Sequence, residues 1–520
     1  MQRRNKPEVL APAGNLRGLK TAVDYGADAV YCGGKAFGMR SAPKNLSLED
    51  FEEGARYAHE RGARVYVTFN VLPRNNEVEA MREYLGKLKD TGVDALIVSD
   101  IGVMLMAKQV APNLELHVST QAGVTNYQAA NAFYELGARR VVLAREMDLQ
   151  AVRDIRARIP DDLDIECFVH GAMCMAFSGR CLFSNYLTGR DGNHGECAQP
   201  CRWKYSIVEE KRPGQYFPIE QTAEGAYLFN SQDMNMLAHI DDLLDSGATS
   251  LKIEGRSKSA YYIAAMTNAY KTAVNEYMVQ RGFEDADGNV LKPFRDRVIR
   301  PGDPEYGKPD TEDAIMANAD GAFAGKPDID AVPVGGVPSG NVSAGNVSSG
   351  NIAIGEPDDL SYHARSTRRK SNTAAEILPE GWHHAGVRPA PHVTLPDWLL
   401  DEPDKVAHRD YSTGFYYGEP GQYVASSRYI REWQIVAKVE SCDENGLAVC
   451  RLNNKFRAGD ALEVVGPDVR PFPITAPIMA DLEGNPVEEP RTPQMKFTIQ
   501  LPKAVPPMSM LRRSVDLSPK

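Results

Sequence analysis

Eight short apolar segments, most of them followed by an amphipathic stretch with helical spacing, dominate the first half of this 520-residue chain. The segments cover residues 8–14, 28–34, 64–70, 94–100, 115–121, 140–146, 165–171 and 250–256. Strands that alternate with helices indicate a parallel sheet, and eight strand–helix units favour a closed (β/α)8 barrel over an open sheet. We therefore predict an α/β fold in which residues 1–300 form a TIM-like barrel.

The remaining regions depart from this pattern. The unit between the seventh and eighth strands is enlarged, so residues 172–249 are predicted to form a cysteine-rich insertion. Residues 301–398 are rich in Pro, Gly, Asp and Ser and contain a short Gly-Asn-Val/Ile repeat, which predicts a flexible low-complexity insertion. After a connecting loop at 399–425, short strand patterns separated by turn residues predict a small C-terminal β-barrel over 426–520.

Charge and hydropathy limit what the chain can bind and where it acts. The formal net charge is −11, which argues against a broad surface that coats nucleic acid but is compatible with a local basic patch. No run of about 18 apolar residues is present, so we expect no membrane span. The N-terminal stretch lacks the apolar segment of a signal peptide, and we expect a cytoplasmic protein.

Polar side chains cluster at the carboxyl ends of the predicted barrel strands, where TIM barrels carry their chemistry. They are Asn70, Asp100, His117, Ser119, Gln121, Arg145, Glu146, His170, Lys252, Glu254 and Arg256. Any one of them could instead form a salt bridge within the barrel mouth. Their recurrence at one end of successive strands favours a functional site, in which His117 and His170 are candidates for proton transfer and Glu254 is a further candidate catalytic residue.

Five of the eight cysteines lie between residues 167 and 201. Cys174 and Cys181 are separated by six residues, Cys197 and Cys201 by three, and fifteen residues lie between the two pairs. Four thiolates brought together can hold an iron–sulfur cluster or a tetrahedral zinc ion, and four buried, inert cysteines are the alternative. The six-residue gap is long for a zinc knuckle, which favours an iron–sulfur cluster. The other cysteines are expected in apolar cores: Cys32, Cys167, Cys442 and Cys450.

Residues 166–184 resemble the signature of peptidase family U32, E-x-F-x2-G-[SA]-x-C-x4-G-x-C-x2-S. The matching positions are Glu166, Phe168, Gly171, Ala172, Cys174, Gly179, Cys181 and Ser184. Phe183 departs mildly from the pattern, because that position is more often aliphatic. Family-like stretches also occur at 10–15, 26–34, 250–259 and 453–463. The resemblance therefore covers both predicted folded regions and leaves only residues 302–395 outside.

Within this family the chain most resembles the tRNA hydroxylation protein P group. The resemblance implies a [4Fe–4S] cluster held by Cys174, Cys181, Cys197 and Cys201. It also implies tRNA as a partner and 5-hydroxylation of its wobble uridine, with prephenate as the small-molecule hydroxyl donor. The donor is a dicarboxylate and would need cations, for which Arg145, Lys252 and Arg256 are candidates. A protein partner is possible.

The same implied chemistry suggests residues that would bind tRNA. Aromatic side chains could stack on a flipped base, although buried aromatics are common; the candidates are Tyr31, Phe177, Tyr186 and Trp203. Basic residues of the C-terminal module could contact the tRNA backbone; the candidates are Lys455, Arg457, Arg512 and Arg513.

Two other functions remain open. A U32-type, collagenase-like peptidase could use Cys174 and His170 as a nucleophile and base, although H-E-x-x-H and G-x-S-x-G motifs are absent from the sequence. That use of Cys174 would leave three clustered cysteines unexplained. A zinc-stapled RNA-binding or assembly factor would use the same four cysteines without redox chemistry.

Overall fold

The computed structural model describes most of the barrel and C-terminal regions. The described residues are 6–38, 45–174, 176–203, 206–208, 216–218, 231–291, 294, 392–418, 420 and 429–515. They belong to one compact unit that comprises residues 1–298 and 391–520. Residues 301–391 of the predicted insertion at 301–398 lie outside the described residues, whereas residues 392–398 are described.

The N-terminal region contains the predicted barrel. Its strands are β1 (Glu8–Ala13), β2 (Ala29–Gly33), β3 (Arg64–Phe69), β4 (Ala95–Val98), β5 (Glu115–Val118), β6 (Arg140–Val142), β7 (Asp164–Ala172), β8 (Ser206–Val208), β9 (Tyr216–Pro218), β10 (Asp233–Asn235) and β11 (Ser250–Ile253). Strands β1 to β7 pair in parallel in chain order, and β11 pairs with both β7 and β1. This closes an eight-stranded parallel barrel and confirms the predicted TIM-like fold.

Helices follow the strands and cover the barrel. They are α1 (Leu16–Asp24), α2 (Leu48–His59), α3 (Val78–Leu88), α4 (Ile101–Val110), α5 (Tyr127–Glu135), α6 (Leu149–Arg156), α7 (Phe183–Thr188), α8 (Ile240–Asp245), α9 (Ala260–Gln280) and α10 (Asp397–Leu400). Several begin with a side chain that accepts a backbone N–H, as Asn15 does for α1 and Asp148 for α6. Asp100 caps α4 in this way, so this strand-end carboxylate has a structural role.

Buried charges fill the amino-terminal half of the barrel interior. Arg140 is 2% exposed, and its Nη1 lies 2.6 Å from Glu8 Oε1 and 3.2 Å from Glu166 Oε2. Glu166 also accepts a 2.7 Å hydrogen bond from Lys252 Nζ. Because a buried charge is tolerated only when it is paired and hydrogen-bonded, these residues form one coupled network that fixes the interior below the mouth.

The chain returns to the barrel before the C-terminal module. Val393 and Leu395 are buried in the barrel core, and Val393 N donates to Asp241 Oδ2 at 2.8 Å. Residues 392–398 are therefore packed, which corrects the C-terminal boundary of the predicted insertion. The segment predicted as a connecting loop, 399–425, includes part of α10 and also strand β12 (Tyr411–Ser412), which pairs in parallel with β10.

The C-terminal module is an antiparallel sheet with its own core, as the sequence predicts. Its strands are β13 (Trp433–Cys442), β14 (Leu447–Leu452), β15 (Ala461–Gly466), β16 (Val469–Thr475), β17 (Met479–Ala480), β18 (Pro486–Val487), β19 (Lys496–Gln500) and β20 (Met510–Ser514). They pair in the order β16-β15-β20-β13-β14-β19-β17-β18. Alternate residues of these strands, including Val436, Phe497 and Leu511, form the core.

An ion-pair cluster joins this module to the barrel. Arg512 is fully buried and donates to Glu402 Oε2 at 2.8 Å and to Glu463 Oε2 at 2.7 Å. The Tyr25 hydroxyl donates to Met508 O at 2.8 Å across the same boundary. The interpretation of Arg512 as a contact to the tRNA backbone is therefore wrong, because its guanidinium is enclosed by carboxylates. In the described part of the chain, no helix combines the length and the apolar character that a bilayer crossing requires.

Candidate metal centre and barrel mouth

The loop that follows β7 brings the four clustered cysteines together. Cys174 and Cys197 are exposed, whereas Cys181 and Cys201 are half-buried. Burial is the main cause that raises the pKa of the Cys201 thiol. Arg202 opposes this effect, and the charges of the other three thiols raise the pKa further. The other three thiols thus lie within electrostatic range of Cys201, although the four residues span 28 positions of the chain.

Two polar side chains tie the halves of this loop together. The buried Ser184 hydroxyl donates to Arg190 O at 2.8 Å and accepts from Ala198 N at 3.0 Å. The Asn193 amide clasps the backbone of Cys181, because Nδ2 donates to Cys181 O at 3.2 Å and Oδ1 accepts from Cys181 N at 3.4 Å. The loop therefore holds its cysteines through hydrogen bonds made by the protein alone.

Backbone N–H groups point at two of the sulfurs. Phe183 N donates to Cys181 Sγ at 3.3 Å, and Gln199 N donates to Cys197 Sγ at 3.4 Å. Gln199 has a left-handed backbone with φ of 57°, a conformation that costs free energy for a residue other than glycine. Hydrogen bonds of this kind stabilise the charged form of a thiol and tune the potential of an iron–sulfur cluster.

The loop is fastened over the mouth of the barrel. The Glu146 carboxylate accepts from Ser178 N and Ser178 Oγ, both at 2.7 Å. Arg180 Nε donates to Gln121 O at 2.5 Å. Glu146 and Gln121 follow β6 and β5, so the carboxyl ends of barrel strands carry the loop.

An ion pair in the mouth supports the first cysteine. Arg145 Nη2 lies 3.2 Å from Glu254 Oε2, and Arg145 Nη1 donates to Ala172 O at 3.0 Å. The guanidinium also lies 3.9 Å from the centre of the Phe168 ring. Ala172 is two residues before Cys174, so Arg145 and Glu254, which the sequence predicts as substrate-binding and catalytic, are in position to orient the start of the loop.

The other two predicted cations have partners inside the barrel. Lys252 Nζ is bound by Glu166 in the interior network. Arg256 Nη1 donates to Thr68 Oγ1 at 3.1 Å, and its guanidinium packs directly on Gly33. A Cβ atom at Gly33 would lie 2.0 Å from Arg256 Nη2, so a larger residue there would force the guanidinium to move. Both cations make the contacts within the barrel that the sequence left open as the alternative.

The two predicted catalytic histidines are buried. His117 Nε2 lies 3.3 Å from Glu115 Oε2, and the imidazole packs edge-on against Tyr66 with 4.7 Å between ring centres. Tyr66 bonds to Glu8 of the interior network, so His117 lies below the mouth. His170 Nδ1 lies 3.3 Å from the Tyr270 hydroxyl, and its Nε2 has no hydrogen-bond partner.

Burial makes His170 a pH-sensitive residue. Desolvation is the main cause that lowers its pKa to about 3, and the charges of Lys258 and His408 act in the same direction. An ordinary histidine has a pKa of about 6.5. Between about pH 6.5 and pH 3, His170 is therefore protonated in the unfolded chain and neutral in the folded protein. The contribution to stability is thus complete above pH 6.5 and is lost as the pH falls.

We therefore expect acid to destabilise the wild-type protein more than a His170→Gln variant. The measurement is the free energy of unfolding in urea at pH 7.5, 6.0 and 5.0 for both proteins. The stability of the variant relative to wild type should rise as the pH falls, because Gln does not titrate. A difference that is independent of pH would contradict the lowered pKa.

The segment of the chain that contains the four clustered cysteines also carries exposed apolar side chains. The exposed apolar patch consists of Phe177, Leu182, Tyr186, Leu187 and Trp203. Tyr186 is 86% exposed. Three of the four aromatic residues that the sequence predicts as base-stacking candidates thus lie here. The fourth, Tyr31, is buried in the barrel and bonds to Ile253 O, so the prediction for it is wrong.

The remaining basic candidates lie in the C-terminal module. Arg513 pairs with Asp460 at 2.6 Å, and Arg457 pairs with Glu489 at 3.2 Å. Lys455 is exposed. These are surface positions, where a charged side chain can exchange partners at little cost.

The sequence places the positive charge of Arg202 beside Cys201, but the cation cluster that Arg202 joins is visible only in the structure. Arg202 Nη1 donates to the Tyr429 hydroxyl at 3.0 Å. Lys258 Nζ lies 3.7 Å, and Arg409 Cζ 4.8 Å, from the centre of the same ring. Lys258 belongs to a family-like stretch, which was a signal for it, but no local pattern could associate Tyr429 or Arg409 with a residue more than 200 positions away.

The fold and the site together define the class of this protein. It is a parallel β/α barrel, and the four-cysteine loop at its mouth is a candidate thiolate metal centre. The model of peptidase family U32 matches residues 14–303, and the model of the peptidase family U32 C-terminal domain matches residues 431–512. The chain belongs to peptidase family U32.

Similarity extends over the whole chain to one bacterial relative. The chain is 30% identical to the tRNA hydroxylation protein P1 of Bacillus subtilis (strain 168) over 512 residues, which cover 98% of this chain and 95% of that protein. It is 43% identical to the tRNA hydroxylation protein P of Helicobacter pylori (strain J99) over 55% of this chain and 70% of that protein. It is also 37% identical to the 23S rRNA 5-hydroxycytidine C2501 synthase of Escherichia coli (strain K12) over 53% of this chain and 40% of that protein.

Proposed function

We propose that this protein hydroxylates RNA, and that its substrate is the wobble uridine of tRNA, modified at C5. A loop with four cysteines that is hydrogen-bonded over the barrel mouth is the observation that carries the proposal, because it places a candidate redox centre where TIM barrels do their chemistry. The names of two relatives support the RNA substrate. The relative that matches 98% of this chain is a tRNA hydroxylation protein, and another relative is an rRNA hydroxycytidine synthase. A cytoplasmic location stays a prediction from the sequence.

The donor set supports a [4Fe–4S] cluster on Cys174, Cys181, Cys197 and Cys201. A tetrahedral zinc ion with Zn–S bonds of about 2.3 Å would need sulfurs about 3.8 Å apart. In the described part of the chain, the only three-residue group with ligand atoms all within 4.8 Å is Asp241, Asp242 and His392. No three of the four sulfurs are that close, so these thiols are not arranged as a tetrahedral zinc site, and four cysteines are the usual ligand set of a [4Fe–4S] cluster.

The bound cluster would supply one-electron transfer, and prephenate is the proposed source of the hydroxyl group. The protein's own residues would prepare the site. Arg145 and Glu254 hold the backbone that precedes Cys174, and backbone N–H groups donate to the sulfurs of Cys181 and Cys197. The neutral, buried His170 would contribute packing and not a proton near pH 7.

Deletion and complementation would test the function directly. In a bacterial strain that lacks its own wobble-uridine hydroxylases, the intact chain should restore 5-hydroxyuridine in tRNA, measured by mass spectrometry of digested nucleosides. A host that cannot make prephenate should show loss of the modification despite expression of the protein. Unmodified uridine in the first host would overturn the proposed activity, whereas full modification in the second would overturn prephenate as the donor.

The exposed apolar patch should bind the RNA. Base stacking on an aromatic side chain contributes about 1–3 kcal/mol per base, so Tyr186→Ala and Trp203→Ala should each weaken tRNA binding by roughly 5- to 150-fold. Tyr417→Ala is the control, because this exposed tyrosine bonds to Asp242 on the outside of the barrel. Filter binding at fixed salt would measure the dissociation constants. Equal affinities for all three variants and wild type would contradict this placement of the RNA.

The peptidase alternative lacks the pair that it requires. Cys174 is exposed, whereas His170 is buried, with Nδ1 directed at Tyr270 and Nε2 unpartnered. A thiol nucleophile needs its base within hydrogen-bond reach. Because Cys174 is exposed and His170 is buried with its Nδ1 directed at Tyr270, RNA hydroxylation is favoured over proteolysis as the function of this protein.

A further inference from the structure

Within the described part of the structure, the cation cluster around Tyr429 carries more positive charge than the neighbouring carboxylates neutralise. It consists of Arg202, Lys258 and Arg409. Among the described residues, the carboxylate that pairs with it is Asp233, whose Oδ1 and Oδ2 accept from Arg409 Nη1 at 3.4 Å and Arg409 N at 3.3 Å. Lys258 Nζ donates to a carbonyl, Ala407 O, at 2.9 Å, and no carboxylate of the described residues forms an ion pair with it. Three cations thus share one carboxylate.

Burial makes this imbalance costly. Arg409 is 1% exposed, and its Nε is buried without a hydrogen-bond partner. Desolvation is the main cause that lowers the pKa of both Lys258 and Arg409, and the charge of Arg202 lowers both further. Cations that repel one another in a partly desolvated site are stabilised by a bound anion. The same site contains the unpartnered Nε2 of His170, which responds to the charge of Lys258.

The position of the cluster links it to both parts of the candidate site. Lys258 follows β11, and Asp233 begins β10, where it pairs with Ala172 at the end of β7. Arg202 is adjacent to Cys201. The cluster therefore lies between the cysteine loop and the carboxyl ends of barrel strands. By contrast, Lys252 and Arg145 each pair with a carboxylate of the barrel.

The size and charge of the ligand follow from these features. Before the nearby Cys201 thiol is counted, three cations and one carboxylate carry a net charge of +2, and a small dianion has the opposite charge of the same size. The enclosed guanidinium of Arg409 is suited to a small molecule that can enter the site and less suited to a phosphodiester on the surface of a folded RNA. The exposed apolar patch, which offers the stacking surfaces, lies on the cysteine loop itself.

We propose that Arg202, Lys258 and Arg409 form the binding site of a small dianion, of the dicarboxylate or phosphate-monoester class, beside Cys201. The proposal deepens and rests on the proposed function, because it assigns to this cluster the carboxylates of the hydroxyl donor. Lys258 and Arg409 bind the oxyanions, and Arg202, held by Tyr429, completes the side of the site that faces the thiols.

Isothermal titration of the full-length protein with prephenate, malonate and inorganic phosphate, at constant ionic strength, would test the site. Lys258→Met should weaken binding of the preferred dianion at least tenfold, and Lys258→Arg should retain it within a few-fold because it keeps the charge. Lys271→Met is the control, since Lys271 lies on α9 and pairs with Asp28, which precedes β2. Thermal unfolding of each variant confirms that it is folded. Arg202→Gln provides a second variant that alters the site from the loop side.

The ligand comparison separates the two sources of a dianion. Tighter binding of prephenate or malonate than of phosphate would support the dicarboxylate form, and the reverse order would support a phosphate monoester. Absence of binding by the wild type would overturn the proposal. So would loss of binding in Arg256→Gln with full binding in Lys258→Met.

Two further outcomes distinguish this site from the function on which it rests. If Lys258→Met leaves dianion binding intact but shifts the reduction potential of anaerobically reconstituted protein, the cations only balance the charge of the metal centre and the proposal fails. If dianions bind through Lys258 but no tRNA is modified in the complementation strain, the proposed function fails while the anion site stands.

Discussion

Replacement of Cys197 by alanine is expected to lower the iron content of anaerobically purified protein from about four atoms per chain to near zero. The cysteine is exposed, and its sulfur accepts one backbone hydrogen bond from Gln199. Loss of the side chain therefore removes one thiolate ligand without creating a cavity in the core. Broad absorption near 400 nm, acid-labile sulfide and tRNA hydroxylation should decline together with the iron.

The matched control is Cys442→Ala. Cys442 is partly buried on β13 in the C-terminal module and belongs to no group of thiols around Cys201. This variant should keep the iron and absorption of the wild type. An iron-free wild-type protein from anaerobic cells would refute the cluster, and stoichiometric zinc in its place would favour the zinc-stapled RNA-binding factor. Equal iron in wild type and Cys197→Ala would exclude Cys197 as a ligand.

Arg140→Met should destabilise the protein by about 3–5 kcal/mol, which is the usual cost of removing one partner from a buried ion pair. Arg140 contacts Glu8, Glu166 and, at 3.2 Å, Asp164. Methionine fills much of the volume but leaves two fully buried carboxylates without this guanidinium. Equilibrium unfolding in urea would measure the change as a shift of the transition midpoint.

Two companion variants make this prediction specific. Arg61→Met should cost no more than about 1 kcal/mol, because Arg61 is largely exposed and contacts a tyrosine ring on the barrel surface. Addition of Glu8→Gln to Arg140→Met should recover stability, since it removes one of the uncompensated charges. A single variant as stable as wild type, or a double variant that is less stable than the single, would show that the interior network does not hold the barrel together.

The positions of the barrel strands were predictable from local sequence. Strands that are covered on both faces need nearly continuous apolar runs, and β1 illustrates this because all six of its residues are buried. The polar residue that follows a strand often begins the next helix, as Asp100 does, so the same signal marks an element boundary and imitates a site. The cysteine spacing likewise pointed to one loop with four thiols.

The roles of the charged residues were not predictable in the same way. Lys252 and Arg256 have the residue types and positions expected of substrate-binding cations. In the structure, however, Lys252 pairs with Glu166, and Arg256 donates to Thr68 and packs on Gly33. His117 is two residues before a true mouth residue, Ser119, and that short distance places it below the mouth. Sequence position specifies the strand and the face, whereas the partner comes from another strand.

The sequence by itself determined the eight-stranded barrel, the antiparallel module and the thiol-rich loop, because apolar periodicity and cysteine spacing are local properties of the chain. Only the tertiary structure decided which charges are paired. Tyr429 joins Arg202, Lys258 and Arg409 from four separate segments, and the Coulomb energy of such a group depends on distances in space and on burial. Charge pairing is therefore a property of the folded chain, and it distinguishes the structural cations of the barrel from those that we propose bind a ligand.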